Sequence, residues 1–282
     1  MTIEDILIRW RRMQGHKTLW LPGTDHAGIS TQIMVEKVIA KEGLDRHALG
    51  HDKFLRRVWE WKKKYGTKIT EQIRQIGASC DWSREHFTMD KNLTRAVQEA
   101  FITMFNDGLI YRGNRIINWC PRCASAISDL EVKHIETSGK LWYLKYPIFG
   151  STKYIIVATT RPETMLGDTA VAVHPKDKRY TNYVGKTVLL PIMDREIPII
   201  ADGRVDMNFG TGAVKVTPAH DHLDYEIGQK HHLDIVNVIG QNGQMTKEVK
   251  EFYGQSIQKA RYNILERLKE EGLIEKTIDY KY

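Results

Sequence analysis

The sequence FGTGAVKVTPAHDHLDYE, residues 209–226, predicts a strand that passes directly into a helix. Side chains alternate between the two faces of a strand, so Lys215 and Thr217 lie on one face, and the following proline ends the strand. Asp221 and Asp224 stand three residues apart at the expected helix start, so both carboxylates face the same way. A lysine and two acids therefore converge at the opening of one pocket, which suits a zwitterionic or hydroxylated ligand.

Two other interpretations of this stretch stay open. An N-capped surface helix with solvated acids needs no ligand at all. His220, His222 and Asp224 also copy most of the H-x-H-x-D-H pattern of metallo-β-lactamase-type hydrolases, whose imidazoles bind zinc. The position that this pattern reserves for its last histidine is Tyr225, which counts against a full ligand set.

A second polar segment, TTRPETMLGDT at residues 159–169, follows an apolar strand. Its hydroxyl groups and its arginine are the donors that hold a ribose or a phosphate. Arg161 offers a bidentate fork, and Thr159, Thr160 and Thr164 offer hydroxyl groups. We therefore expect this strand end to hold a ribose or a phosphate.

The pattern of hydropathy changes along the chain and predicts two domains. In the first part, apolar residues recur at the spacing of a helix. They form stripes at Phe54, Val58 and Trp61 and at Val97, Phe101 and Phe105, which we interpret as core. From Leu141 onward, β-branched alternation with Gly and Pro turns predicts a compact α+β domain with a β-barrel-like centre. We place the boundary near residue 137 and expect a last apolar helix over 257–273.

The segment LPGTDHAGISTQ, residues 21–32, follows an apolar run and places Asp25 and His26 in a strand-to-helix turn. Open α/β sheets bind ligands at such turns, and a carboxylate there holds an ammonium group. Gly23 and Gly28 allow the backbone to approach a small ligand closely. The alternative is that Asp25 only caps the next helix.

Cys120 and Cys123 have the C-x-x-C spacing of a zinc knuckle, in which two thiolates share one tetrahedral ion. A structural zinc ion needs four ligands, and no second C-x-x-C follows. The pair is therefore either half of a zinc site or two reduced cysteines in a turn.

Composition limits the class of protein. Of the 282 residues, 41% are hydrophobic, enough to build a core, and the net charge of +7 suits a partner that is an anionic polymer. Three cysteines fit a reducing cytosol, and residues 1–15 lack the apolar run of a signal peptide. No segment reaches the roughly 18 apolar residues of a membrane span.

Five blocks in order give the chain a family resemblance. It resembles the valyl-tRNA synthetases, which are class I aminoacyl-tRNA synthetases, and the likeness runs through nearly the whole length. The blocks are PGTDHAG (22–28), GASCDWSRE (77–85), NWCPRC (118–123) with SDLEV (128–132), TTRPETMLGDT (159–169) and GTGAVKVTPAHD (210–221).

This resemblance implies an α/β fold, with residues 1–137 as an incomplete Rossmann-type catalytic core and residues 138–282 as the inserted editing domain, connective peptide 1. Asp25 corresponds to the acid that holds the amino group of valine. Asp224 would hold the α-amino group of a misattached amino acid, and Asp221 with Lys215 would recognise the threonine hydroxyl. Thr160 and Thr217 would position the ester and the attacking water. Arg161 and Phe209 would complete the pocket.

The same resemblance implies the partners and cofactors. The partner is the 3′ end of the tRNA for valine, with valine and threonine as amino acid moieties, and we expect a cytoplasmic monomer. ATP with magnesium serves the parent reaction, but an HIGH-type motif before residue 22 and a KMSKS-type loop are not found, so this chain is expected neither to bind ATP nor to charge tRNA. A pocket shaped for valine cannot strongly reject isosteric threonine, which is why such enzymes need a second, hydrolytic site.

Overall fold

Two units, Met1–Gly113 and Asn114–Tyr282, divide the chain in the computed structural model, which describes residues 1–282. The segment 114–137, which we grouped with the first domain, lies in the second unit. One contact that holds it there is a 2.8 Å hydrogen bond from Trp119 Nε1 to the carbonyl of Gln241. The domain boundary near residue 137 stays a prediction, because compactness and family domain limits are different criteria.

The first unit is helical around one short parallel strand pair. Gly23 pairs with His86 and Thr24 with Phe87. A parallel pair requires a long crossover, and four helices supply it here, which agrees with the predicted α/β class. The elements are α1 (Thr2–Met13), β1 (Gly23–Thr24), α2 (Gly28–Ala40), α3 (Arg46–Leu49), α4 (His51–Tyr65), α5 (Lys68–Gln75), β2 (His86–Phe87) and α6 (Lys91–Asn106).

One of the two predicted core stripes is wrong. Phe54, Val58 and Trp61 on α4 are half-buried, but Val97, Phe101 and Phe105 on α6 are 66%, 53% and 58% exposed. Helical periodicity identifies which face of a helix is apolar; it does not say whether another element covers that face.

The second unit contains two larger sheets and a small hairpin. The strands are β3 (Trp119–Cys120), β4 (Ser125–Ala126), β5 (Ser138–Pro147), β6 (Tyr154–Thr159), β7 (Ala170–Val173), β8 (Thr187–Leu190), β9 (Arg195–Ala201), β10 (Ala213–Val216) and β11 (Ile274–Lys281); the helices are α7 (His222–His231) and α8 (Ile257–Glu270). One sheet has the strand order β10-β7-β9-β8 and the other β11-β5-β6, while β3 and β4 form the hairpin.

Both sheets contribute to one apolar core, which includes Leu144 and Val157 from one sheet and Val171 and Ile199 from the other. The core confirms a folded α+β unit, as the alternating apolar residues indicated. The helix predicted over 257–273 ends earlier, at Glu270, and a strand that we did not predict, β11, follows it. The turn between them contains Gly272 at φ 69°, a left-handed conformation that favours glycine.

The register of the strands positions the polar residues. β10 pairs antiparallel with β7, so Lys215 lies opposite Val171. Pro218 follows β10, and α7 begins four residues later with Asp221 as its N-cap. None of the helices in either unit combines the length and the apolar composition that a bilayer span requires.

Candidate functional site

A cavity of about 380 Å³ opens in the second unit between the end of β6 and the junction of β10 with α7. Both polar segments identified from the sequence contribute to its wall. The Thr211 side chain connects the segment 209–226 to β6, the strand that leads into the other segment, because its hydroxyl donates to the carbonyl of Ile156 at 2.5 Å. The lining includes every residue predicted for the editing pocket: Thr160, Arg161, Phe209, Lys215, Thr217, Asp221 and Asp224.

Lys215 is buried in the floor of this cavity, and the protein satisfies its ammonium group. The Nζ atom donates to Thr164 Oγ1 at 2.9 Å, to Thr217 Oγ1 at 2.5 Å and to Asp168 Oδ1 at 3.3 Å. An ammonium group has three N–H donors, so all three have partners. Lys215 therefore acts on a ligand through its charge unless one of these bonds is exchanged.

Asp168 is a site residue that the sequence analysis quoted within a block but did not single out. Its side chain is fully buried: Oδ1 accepts from Thr217 Oγ1 at 2.6 Å and from Lys215, and Oδ2 accepts from Tyr146 Oη at 2.7 Å. Burial raises the pKa of Asp168, and the neighbouring Lys215 charge offsets part of that rise. The same burial, together with the Asp168 charge, raises the pKa of Tyr146 well above its ordinary value.

Asp224 is the acid in the wall of the cavity that is most strongly perturbed. It is 6% exposed, and its Oδ2 accepts the backbone N–H of Thr217 at 2.8 Å. Burial raises the pKa of Asp224 to about 6, although the Lys215 charge and the Thr217 N–H both lower it. A carboxylate that is ionised at neutral pH but poorly solvated gains most by binding a cation.

Asp221 has a different environment from Asp224, three residues away. Its side chain is exposed, and Oδ1 caps α7 by accepting the N–H groups of Leu223 at 2.8 Å and Asp224 at 3.1 Å. The N-cap interpretation is therefore correct for Asp221, and the same residue also lines the cavity. One carboxylate performs both tasks because a cap uses only one of its two oxygens.

Arg161 stands at the rim, anchored by a buried acid. Its Nε donates to Glu163 Oε1 at 3.2 Å, and Glu163 also accepts two hydrogen bonds from Arg261, at 2.8 and 2.9 Å. Burial opposes ionisation of Glu163, but the Arg261 hydrogen bonds and charge hold the pKa of that carboxyl below its usual value. Thr159, which is buried, accepts the Arg161 N–H at 3.0 Å and so fixes the turn. Opposite, Phe209 is 39% exposed and its ring meets the Tyr280 ring edge to face.

The histidine pattern does not assemble a metal site. His220 Nε2 accepts the N–H of Val238 at 3.0 Å, and burial together with the Arg161 and Lys215 charges lowers the pKa of His220 to about 4. The structure places no three His, Cys, Asp or Glu side chains where they could share an ion. The zinc hydrolase interpretation therefore has no ligand set to support it.

The cysteine pair lies at the β3–β4 hairpin. The N–H of Cys123 donates to Cys120 Sγ at 3.4 Å, which lowers the pKa of the Cys120 thiol. Two thiols with this geometry fit half of a tetrahedral zinc site, and the chain brings no third ligand to them. The residues present therefore do not complete a zinc site.

Asp25 and His26 belong to the first unit and line a cavity of about 520 Å³ there, whose walls include Trp59, Trp61 and Phe87. Asp25 Oδ2 accepts the N–H of Ala27 at 2.9 Å, which is a local turn rather than a helix cap, since α2 begins after Ala27. His26 Nδ1 lies 2.8 Å from Thr88 Oγ1. An exposed carboxylate thus stands at an aromatic cavity, directly after β1.

Comparison with known proteins identifies the family. The family described as tRNA synthetases class I (I, L, M and V) matches residues 1–263. A valine–tRNA ligase of Syntrophotalea carbinolica is 54% identical over 99% of the chain, and one of Geobacter sulfurreducens is 53% identical over 100%. The chain covers 31% and 32% of these relatives, so it spans about one third of their length.

Among solved structures, a ternary LeuRS–tRNA–LeuAMS complex from Agrobacterium radiobacter is similar at 16% identity and a TM-score of 0.40. The match covers 88% of this chain and 38% of that one. A likeness of this degree is too distant to support a statement about the site.

Proposed function

Because the chain belongs to the class I tRNA synthetase family and its 53–54% identical relatives are valine–tRNA ligases, we propose that its second unit is an editing hydrolase. The proposed substrate is threonine wrongly esterified to the tRNA for valine. The proposed products are free threonine and the uncharged tRNA. The observation that carries the proposal is the buried carboxylate of Asp224 in the same cavity as the second, exposed acid Asp221.

Recognition of the amino group is assigned to Asp224. An aminoacyl ester carries an α-ammonium group, and the carboxylate of Asp224 is nearly dry, with Oδ2 held by one backbone N–H. Charge-assisted hydrogen bonds are strongest where water is excluded. The ammonium group would therefore bind at Asp224 and orient the rest of the substrate.

Recognition of the side-chain hydroxyl is assigned to Asp221, which has an oxygen that capping does not require. Since Lys215 already donates to three protein oxygens, we give it an electrostatic role rather than a direct contact with threonine. Valine in the same place would put a methyl group against an acid and desolvate it without a hydrogen bond. This difference would let the cavity accept threonine and reject valine.

The hydrolytic step requires an oriented water molecule. The Thr217 hydroxyl donates to Asp168 and accepts from Lys215, which leaves one lone pair to accept a hydrogen bond from water and so orient it. That water would attack the ester carbonyl while the Thr160 hydroxyl positions the ester. One proton of the attacking water passes to the ribose oxygen as the acyl–oxygen bond breaks, and the other is lost to solvent as threonine is released as a carboxylate. The terminal ribose carries a second hydroxyl beside the ester, so the substrate itself holds a polar group at the reacting atoms.

For the first unit we propose part of the catalytic core, with Asp25 as the acid that holds the amino group of valine. The parent reaction would then be the ATP-dependent attachment of valine to its tRNA, with magnesium, in the cytoplasm. The support is the position of Asp25 beside an aromatic cavity at the end of a parallel strand. For the second unit we propose a barrel-like centre in which the two sheets close around the shared core.

The decisive experiment is a deacylation assay with threonyl-tRNA for valine and, as the reference substrate, valyl-tRNA. The chain is expected to release threonine faster than buffer does and to leave the valine ester intact. Asp224→Asn is expected to lower the rate about 100-fold, the scale of removing one partner of a buried charge pair. The matched control is Asp234→Asn, an exposed acid outside the cavity wall. Binding of tRNA with no deacylation would instead favour an RNA-binding segment without catalysis.

A further inference from the structure

A second cavity, of about 500 Å³, adjoins the first in the same unit. Arg161 and His220 line both cavities, so the two share a wall. The far side of the second cavity consists of the β3–β4 hairpin, with Trp119, and of the loop that contains Gln241. A ligand that fills the first cavity and extends past Arg161 therefore enters the second.

The two cavities differ in their acidic groups. The wall of the first contains three acids, Asp206, Asp221 and Asp224, beside the cationic Arg161, Arg204 and Lys215. The wall of the second contains no Asp or Glu; it carries Arg115 and Arg161 and presents the indole of Trp119. An ammonium group is suited to the first cavity, and an anion joined to a flat ring is suited to the second.

The aromatic and cationic groups of the second cavity are held in place before any ligand arrives. Trp119 Nε1 donates to the carbonyl of Gln241, which fixes the ring against the loop. The loop approaches the hairpin so closely that a Cβ on Gly243 would lie 3.2 Å from Pro121. Tyr225 donates to the carbonyl of Asn114 at 2.6 Å and accepts from Arg115 Nη1 at 3.2 Å, so it anchors the irregular segment that carries Arg115.

We propose that the second cavity binds the nucleotide that precedes the terminal adenosine of the substrate RNA. Its base stacks on Trp119, and the phosphate that joins it to the terminal nucleoside lies between Arg115 and Arg161. Single-stranded RNA ends are recognised in this way, by stacking on aromatic rings and by arginine contacts to phosphate. The inference rests on the proposed function, because it takes the aminoacylated terminal nucleoside to occupy the first cavity.

The test uses the full chain and an RNA hairpin with an unacylated 3′-CCA end, carrying a fluorescent label at its 5′ end. Binding is followed by anisotropy and compared with the same hairpin in which the penultimate base is removed, leaving an abasic nucleotide. The chain is expected to bind the abasic RNA about 10-fold more weakly, the scale of one lost base–aromatic stack. Trp119→Ala is expected to weaken binding of the intact RNA by the same factor and to leave binding of the abasic RNA unchanged.

Two further variants separate stacking and charge from damage to the fold. Trp119→Phe keeps an aromatic face without the bond to Gln241 and is expected to restore most of the lost affinity. Arg115→Gln is expected to reduce the slope of log Kd against log salt by about 0.7, the value for one phosphate contact on a single strand. Circular dichroism of each variant verifies that it is folded.

Three results would overturn the proposal: equal binding of the intact and abasic RNAs, a Trp119→Ala loss that is the same for both, or no saturable binding of the intact hairpin. None of these measurements uses an amino acid ester. Sensitivity to the penultimate base without hydrolysis of threonyl-tRNA would thus refute the proposed function but not the assignment of the second cavity. Hydrolysis of threonyl-tRNA without sensitivity to the penultimate base would refute the assignment of the second cavity but not the proposed function.

Discussion

Replacing Asp224 by asparagine is expected to stabilise the second unit at neutral pH while it lowers the rate of deacylation about 100-fold. Asparagine has nearly the same shape and keeps an oxygen that accepts the N–H of Thr217, so the packing is preserved. The change removes the charge and puts an amide nitrogen in place of the second carboxylate oxygen. A carboxylate that is 6% exposed and has no cation bound is costly to ionise, and asparagine never incurs that cost.

The magnitude follows from the pKa of Asp224, which burial raises from 3.8 to about 6. A group whose pKa is raised on folding favours the folded state below its unfolded pKa, and this contribution is lost as the pH rises through the folded pKa. At 1.36 kcal/mol per pKa unit, ionisation of Asp224 therefore lowers the free energy of unfolding of the wild-type chain by about 3 kcal/mol at pH 7.5 and by about 1 kcal/mol at pH 4.5. The gain in stability of the Asp224→Asn variant should therefore be larger at pH 7.5 than at pH 4.5.

Urea unfolding at both pH values measures the effect, and pulse proteolysis reads the second unit separately from the first. Asp234→Asn is the control, because an exposed acid has little desolvation to relieve. A stability gain that is absent at pH 7.5, or equal at pH 4.5 and 7.5, would show that ionised Asp224 carries no such penalty. The assignment of this carboxylate as the cation-binding group would then lose its physical basis.

Three further predictions concern the same cavity. The kcat/KM for threonyl-tRNA is expected to fall as the pH drops below about 6, because protonated Asp224 cannot hold an ammonium group; a pH–rate profile that is flat from 5 to 7.5 would contradict this. Asp168→Asn is expected to cost about 3–5 kcal/mol in urea unfolding, because it leaves the buried Lys215 ammonium uncompensated. Adding Lys215→Met should recover much of that stability but no deacylation, and recovery of activity would argue against a role for the pair. Gly167→Ala is expected to lower both stability, by about 1–3 kcal/mol, and deacylation, since its Cβ would lie 2.8 Å from a backbone carbonyl and 3.3 Å from the Thr217 methyl group; wild-type values in both assays would refute it.

The sequence predicted the convergence of Lys215, Thr217 and Asp224 because each relation is local. Period two places the first pair on one strand face, and a helix that starts just after the strand brings the aspartate back over it. Asp168 was missed as a partner of Lys215 because the two are 47 residues apart and meet only through the register of β10 on β7. Hydropathy restricts such a register only to steps of two residues, and it does not identify which strand is the partner.

The difference between local relations and contacts between distant parts of the chain also explains two predictions about secondary structure and burial that failed. The α6 stripe at 97, 101 and 105 was identified correctly as an apolar face, but whether a face is covered depends on elements that periodicity does not describe. The strand β11 was missed because half of its residues are charged and only its pairing with β5 makes it a strand. Its alternation is weak, as expected for a strand whose residues are mostly exposed.

Two acids one helical turn apart acquire different tasks because their environments differ. Asp221 is exposed and caps α7, whereas Asp224 is buried and has a pKa of about 6. Without a nearby positive charge, burial alone would raise the pKa of Asp224 further, and the acid would be neutral where we propose that it binds an ammonium group. Lys215 lowers that pKa from beneath the cavity floor. Because its three N–H groups are bonded to Thr164, Thr217 and Asp168, it supplies this charge without competing for the ligand. The network around Asp168 thus keeps the lysine where its charge favours the ionised form of Asp224, and it leaves the cavity open to the substrate that we propose.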